Sequence, residues 1–224
     1  QNHCLCNLCI SELPWLKTQC QRCATPLNHN KLCPDCQQNP PPYRRCIAAF
    51  EYQKGAIDKL ILDIKTNPHS PEATQLSNLL SDVISLAYQD SAMPTIMIPV
   101  PLHWRKLLMR GFNQSTNIAS SLSRKFNNTV ILDNTCLRRA SSSPQHLKSR
   151  SERLRGMRNA FRMRNNIDYE PDTKANRTNN PIRGKSVAIV DDVVTSGATA
   201  GSLASTLIKA GAKHVDIWCI ARTG

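Results

Sequence analysis

Two adjacent acids and the small residues that follow them carry the clearest chemical signal in this sequence. Four apolar residues, 187–190, lead into Asp191 and Asp192 and predict a strand that is buried on both faces and ends at the acids. A helical pattern covers about 200–210, and the turn before it contains Thr195, Ser196, Gly197, Ala198 and Thr199. Backbone N–H groups at a helix N-terminus bind phosphate, and carboxylates after a strand bind ribose hydroxyls. The pattern predicts a sugar-phosphate site; the alternative is an ordinary strand followed by a capped helix.

A second group of candidate residues follows another predicted strand, in the middle of the chain. Two prolines flank Val100 and end that strand, because proline cannot donate to a sheet ladder. Cations then crowd the stretch 103–110, and guanidinium groups match phosphate oxygens in geometry. We predict that Arg105 and Arg110 contact a pyrophosphate group.

The positive charge of the chain is concentrated in one quarter of it. Lys and Arg number 29 against 16 acids, a net charge of +13, which implies anionic partners such as phosphates, nucleic acid or an anionic membrane surface. Residues 104–164 alone hold fourteen Lys and Arg against two acids. Any single arginine of this block can be a solvated surface residue. So many like charges in one stretch nevertheless repel one another unless a bound anion neutralises them. The nucleic-acid contacts that we predict are Arg150, Arg153, Arg155 and Arg158.

Eight of the ten cysteines lie within the first 46 residues, and six of them form three Cys-x-x-Cys pairs: Cys6/Cys9, Cys20/Cys23 and Cys33/Cys36. Two such pairs supply four thiolates at zinc spacing, and a short segment without its own core needs the metal to fold. A disulfide framework is the alternative, but it would spread the cysteines and follow a signal peptide. We predict a structural zinc ion on the second and third pairs, in a reducing compartment. The first pair would bind metal with another ligand, such as Cys4 or a cysteine before this sequence begins.

Three consecutive prolines, at 40–42, predict a boundary between a cysteine-rich module, residues 1–45, and a larger domain, residues 46–224. In the larger domain we predict strands at 47–52 and 95–100 and helices at 56–65, 73–88 and 111–126. The polar stretch 164–180 predicts an exposed loop between paired strands or a mobile flap. Alternating strands and helices indicate an α/β fold with a mainly parallel sheet, whose strand ends line the binding crevice. No apolar run reaches the length of a membrane span.

The stretch 187–199 resembles the phosphoribosyl-diphosphate (PRPP) signature of the type I phosphoribosyltransferases. Together with the cysteine pairs, the PVPLH…RGFNQ block at 99–114, the PQ-x-L block and a C-terminal Ala-Arg, it resembles the ComF family of competence proteins. The resemblance implies a type I phosphoribosyltransferase fold, PRPP bound with Mg²⁺, and a zinc finger. It also implies work in the bacterial cytoplasm on single-stranded DNA during natural transformation. By analogy with relatives, Asp192 is the expected general base.

Two functions follow from these expectations. The first is a DNA-handling competence factor that keeps a PRPP-type pocket; its cysteine module would dock a helicase or a DNA-uptake channel component. The second is an active phosphoribosyltransferase that transfers phosphoribose to a base or a nucleic-acid end. The sequence does not identify an acceptor, so whether the protein is an enzyme stays open at this point.

Overall fold

A five-stranded parallel sheet forms the centre of the computed structural model, which describes residues 5–28, 31–67, 69–127, 129–132, 136–138, 160–163 and 180–224. The strand order is β1-β7-β6-β2-β3, and the strands are β1 (Arg45–Glu51), β2 (Ile96–Pro99), β3 (Val130–Ile131), β6 (Ser186–Val194) and β7 (His214–Arg222). The central strands read as continuous apolar runs because both faces of a parallel sheet are covered. Alternate residues of β7 accordingly enter two different apolar clusters, Ile217 on one face and Trp218 on the other.

Three helices cover the face of the sheet that carries Trp218: α3 (Ala56–Thr66), α4 (Pro71–Ala87) and α6 (Gln114–Lys125). Their buried apolar residues recur at helical spacing, and Ile61, Leu80 and Ile118 are among those fully enclosed. Helix α4 begins at a Ser70 cap, whose Oγ accepts a hydrogen bond from the N–H of Ala73 at 3.3 Å.

The other face is covered by helix α7 (Ala198–Lys209), by a two-stranded antiparallel pair, β4 (Cys136–Arg138) with β5 (Phe161–Met163), and by the cysteine module. The module contains two short helices, α1 (Asn7–Ser11) and α2 (Pro34–Gln38). Four of its cysteines join the same apolar cluster as Ile217 and α7. The predicted boundary at residue 45 coincides with the start of β1 and stays a prediction, since the module and the sheet share this cluster.

The predicted fold class is confirmed: a parallel α/β sheet flanked by helices, with a four-cysteine cluster in the N-terminal part. The predicted helices and the two predicted middle strands are present with small changes at their ends. Two details differ. The stretch after β2 forms a further helix, α5 (Trp104–Arg110), and β6 continues beyond the acid pair to Val194 because β7 remains paired with it. The predicted loop at 164–180 falls almost entirely outside the described residues.

The helices within the described ranges are α1 to α7, and the longest of them, α4, has 17 residues. None of them combines the length and the apolar character that a bilayer span requires.

Candidate functional site

A cleft of about 270 Å³ opens at the carboxyl ends of β2 and β6. Strand β2 pairs with β6 as far as Pro99, which lies opposite Val190, whereas β7 stays paired with β6 through Val194. The end of β6 therefore has a strand on one side and the cleft on the other. Polar side chains from several elements line it: Tyr52, Lys65, Lys106, Arg110, Gln114, Ser115, Asp191, Asp192, Thr195 and Thr199.

The acid pair is held in place by two helices. Both carboxyl groups are buried. Asp191 Oδ1 accepts hydrogen bonds from Ser115 Oγ at 3.2 Å and from the N–H of Asp192 at 3.0 Å. Ser115 lies in the first turn of α6, just after the Asn113 cap. Asp192 Oδ2 lies 3.0 Å from Lys65 Nζ, which reaches it from the last turn of α3. Each carboxylate thus has its own fixed partner.

These partners separate the ionisation of the two acids. Burial and the adjacent carboxylate of Asp192 raise the pKa of Asp191 well above its ordinary value. Burial acts on Asp192 in the same direction, but the Lys65 ammonium and hydrogen bonds outweigh it, so the pKa of Asp192 is lowered. Asp192 is therefore the stronger acid of the pair, and Asp191 is the first of the two to take up a proton as the pH falls.

The turn after β6 brings backbone and hydroxyl groups to the same cleft. Gly197 is the residue before α7 and has a positive φ of 74°, a conformation that favours glycine. A Cβ at this position would lie 3.4 Å from the hydroxyl of Tyr43, which is buried beneath the turn. Thr195 and Thr199 line the cleft on either side of Gly197. The N-terminus of α7 thus lies beside the acid pair, which is the arrangement that the sequence predicts for a phosphate ester.

Cations approach the cleft from α5. Its cap is His103, whose Nδ1 accepts a hydrogen bond from the N–H of Arg105 at 3.3 Å. Lys106 and Arg110 line the cleft, and Arg110 donates to Gln114 Oε1 at 3.1 Å. The guanidinium of Arg105 instead lies 5.2 Å from the ring centroid of Trp104, on the exposed side of the helix. One predicted arginine is therefore placed at the cleft and the other is not among its lining residues.

Four cysteines of the module meet in a metal-binding geometry. The sulfur atoms of Cys20, Cys23, Cys33 and Cys36 all lie within 4.8 Å of one another, and all four residues are buried. Burial opposes ionisation, but backbone N–H groups lower the pKa of Cys20 to about 7. Burial raises the pKa of Cys33 and Cys36. A metal cation allows four buried thiolates to ionise together, so this donor set fits zinc in a closed, structural site.

The remaining predicted ligands lie elsewhere. Cys6 and Cys9 are exposed around the start of α1 and do not belong to the four-cysteine cluster. Their metal role stays a prediction. The predicted nucleic-acid contacts Arg150, Arg153, Arg155 and Arg158 fall outside the described residues.

Three residues of the cleft were missed by the sequence analysis: Lys65, Ser115 and Tyr52. Lys65 is the last residue of the helix predicted at 56–65, and Ser115 lies within the helix predicted at 111–126. Their proximity to acids far along the chain has no local signal in the sequence.

Sequence comparisons place the chain among bacterial DNA-utilization and competence proteins. No family model matches it. DNA utilization protein YhgH of Escherichia coli (strain K12) is 32% identical over 222 residues, which cover 98% of this chain and 90% of that protein. Competence protein F of Haemophilus influenzae is 25% identical over 231 residues, with 97% and 90% covered. Competence protein ComFC of Bacillus subtilis is 23% identical over 214 residues, with 92% and 79% covered.

A search of solved structures finds similarity to a purine phosphoribosyltransferase from Pyrococcus horikoshii (17% identity, TM-score 0.29, 74% of this chain and 73% of that chain). Another is the allosteric regulatory enzyme of purine biosynthesis (15% identity, TM-score 0.36, 66% and 26% covered). The chain thus combines a parallel sheet, with an acid pair and a glycine-containing turn at the end of one strand, and a four-cysteine module. Its sequence relatives show that the chain belongs to the ComF family, which includes the YhgH proteins.

Proposed function

We propose that the cleft binds PRPP or a closely related phosphorylated ribose. In this arrangement Asp191 and Asp192 accept hydrogen bonds from the ribose hydroxyls, and the residues 195–199 donate to the 5′-phosphate. Arg110 and Lys106 face the pyrophosphate, while Arg105, on the outer side of α5, is expected to contribute long-range charge.

The observation that carries this proposal is the buried acid pair beside a glycine-containing helix N-terminus. Burying two adjacent carboxylates is unfavourable unless each has a compensating partner. Among the described residues, only Asp192 has a cation beside it, Lys65. Such an arrangement is typical of a ligand site and unnecessary for folding. Mg²⁺ bound with PRPP would supply neutralisation of pyrophosphate charge.

Calorimetric titration with PRPP and Mg²⁺ tests this proposal. Asp191→Asn keeps the shape of the side chain but removes its charge, so the affinity should fall about tenfold or more, the loss expected for a hydrogen bond to a charged group. Asp82→Asn, an exposed acid on α4, is the matched control and should bind as the wild type does. Equal affinity in all three proteins, or no heat with any of them, would contradict the proposal.

For the cellular role, we propose that the protein handles single-stranded DNA in competence; its relatives are named as DNA utilization and competence proteins. The basic block at 104–164 supplies the charge for phosphate contacts, and counterion release predicts a steep dependence on salt. A cytoplasmic location fits the predicted zinc thiolates. A helicase or a channel component docked on the cysteine module remains the proposed protein partner.

DNA binding is tested by charge reversal at Arg150, Arg153 and Arg155. The affinity for a labelled single strand and its salt slope should both fall, because fewer phosphates are neutralised. The matched control reverses Arg183, Lys185 and Lys213, three exposed cations next to the amino ends of β6 and β7, and so changes the net charge equally. Equal losses in the two triple variants would mean that net charge alone drives binding.

Transfer of phosphoribose is the second candidate, and one observation favours it. A catalytic base works best with a pKa near the operating pH, and the pKa of Asp191 is raised whereas that of Asp192 is lowered. Asp192 as the base stays a prediction, and Asp191 is the alternative. Transfer predicts release of pyrophosphate from PRPP with some base or DNA end, and loss of that release in Asp191→Ala.

A further inference from the structure

Arg222, at the end of β7, is a buried cation that joins the cysteine module to the candidate site. Its side chain is 3% exposed. On one side, Nε donates to the carbonyl of Cys23 at 2.9 Å and NH2 donates to Thr25 Oγ1 at 2.7 Å. On the other side, NH1 donates to the carbonyls of Val194, at 3.2 Å, and Thr195. One guanidinium therefore ties a metal-ligand segment to the residues that open the turn.

The charge of Arg222 has no carboxylate beside it in the part of the chain that the structure describes. Buried charges are normally paired with an opposite charge, and an unpaired one is strongly destabilising. The four-cysteine cluster supplies that charge when it is loaded, because four thiolates around one divalent metal carry a net charge of −2. Metal binding thus provides the counter-charge for a residue that also holds the turn.

Besides the backbone contact at the Cys23 carbonyl, Arg222 reaches a cluster sulfur through the Thr25 hydroxyl. Thr25 Oγ1 lies 3.1 Å from Cys23 Sγ and accepts its other hydrogen bond from Arg222. A metal-bound thiolate has no proton to donate, so the threonine hydroxyl donates to the sulfur. Such outer hydrogen bonds orient metal ligands and tune metal affinity. The Arg222 guanidinium thus donates to the Thr25 hydroxyl, which in turn donates to the Cys23 thiolate.

We propose that Arg222 is a positioning residue, through which the metal-loaded state of the four-cysteine cluster sets the order of the turn at 194–197. This inference does not depend on PRPP binding. It makes the cysteine module part of the site's support, rather than an attachment that only docks other proteins.

Hydrogen exchange of the turn amides in the full-length, zinc-loaded chain tests this directly, without any ligand. Arg222→Met should lower the protection of these amides about tenfold or more, the loss expected for hydrogen bonds to a charged group. Removing zinc from the wild type with a chelator should lower the protection of these amides by a similar factor. Removing zinc from Arg222→Met should cause little further loss of protection. Thr25→Val keeps the volume of the side chain but breaks the relay. It should release zinc to a chelator about ten- to a hundredfold more readily and loosen the turn while the metal is still bound.

Arg44→Met is the matched control, because it also removes an arginine from a buried partner, Asp216, near the opposite end of β7. It should destabilise the protein generally while leaving the turn no looser than the rest of the sheet. The proposal is overturned if zinc removal leaves the turn protected, if Thr25→Val alters zinc release alone, or if Arg44→Met loosens the turn equally. Because none of these measurements uses PRPP, a failure of PRPP binding would be recognised separately.

Discussion

Replacing Lys65 by methionine should destabilise the protein and make its stability depend on pH in a new way. The ammonium lies 3.0 Å from Asp192 Oδ2, and the two side chains are 28% and 7% exposed. Removing one partner of a fully buried ion pair costs about 3–5 kcal/mol, and the partial exposure of the lysine reduces this to about 2–3 kcal/mol. For a chain of this length the melting temperature should fall by roughly 5–10 °C at pH 7.

The sign of the pH dependence follows from the acid. In the wild type the pKa of Asp192 is lowered, so the ion pair stabilises the fold above the unfolded-state pKa and loses this effect as the pH falls through the lowered value. In Lys65→Met the ammonium no longer opposes burial, so the pKa of Asp192 should rise from its lowered value. The variant's deficit is therefore full at neutral pH and shrinks on acidification.

Thermal unfolding at several pH values measures both effects. Lys59→Met removes an exposed lysine from the same helix and is the matched control; it should change the melting temperature little. Adding Asp192→Asn to Lys65→Met should restore much of the loss, since no buried charge is then left unpaired. The reasoning is refuted if Lys65→Met melts like Lys59→Met at pH 7, or if its deficit is the same at pH 4.

Three further predictions concern the acid pair, the turn and the metal. Asp191→Asn should melt at or above the wild type at pH 7, because it removes a carboxylate whose pKa is raised, and the gain should vanish near pH 4. Gly197→Ala should cost about 1 kcal/mol of unfolding free energy and weaken PRPP binding, whereas Gly184→Ala, with similar φ but open space, should affect stability alone. By metal analysis, Cys36→Ser should lose the zinc of the buried cluster, and Cys9→Ser should keep it.

Much of the fold follows from local patterns in the sequence. The apolar run 187–190 becomes the centre of β6, and the helices α3 and α4 follow their apolar spacing. The cysteine pairs predict the cluster because ligand spacing is itself local. Helix α5 was missed since seven residues, with exposed Leu108 and Met109 on its surface, give no readable periodicity.

What the sequence hides are contacts between distant residues. The position of β7 between β1 and β6 depends on packing of the whole sheet, and it extends β6 past the acids to Val194. The ion pair of Lys65 with Asp192 joins residues that are far apart in the chain, so no motif records it. Arg222 matched the C-terminal motif of the family, but its contacts with Cys23 and Thr195 appear only in three dimensions.

The strand order has a consequence for how the molecule is assembled during translation. Strand β1 is joined to β6 only through β7, which comes last in the chain among the five strands of this sheet. The nascent chain can therefore load its metal early, but the two halves of the sheet stay separate until β7 inserts between them. A stalled ribosome just short of β7 would hold a metal-loaded module beside an open sheet edge, which is where a chaperone would be needed most.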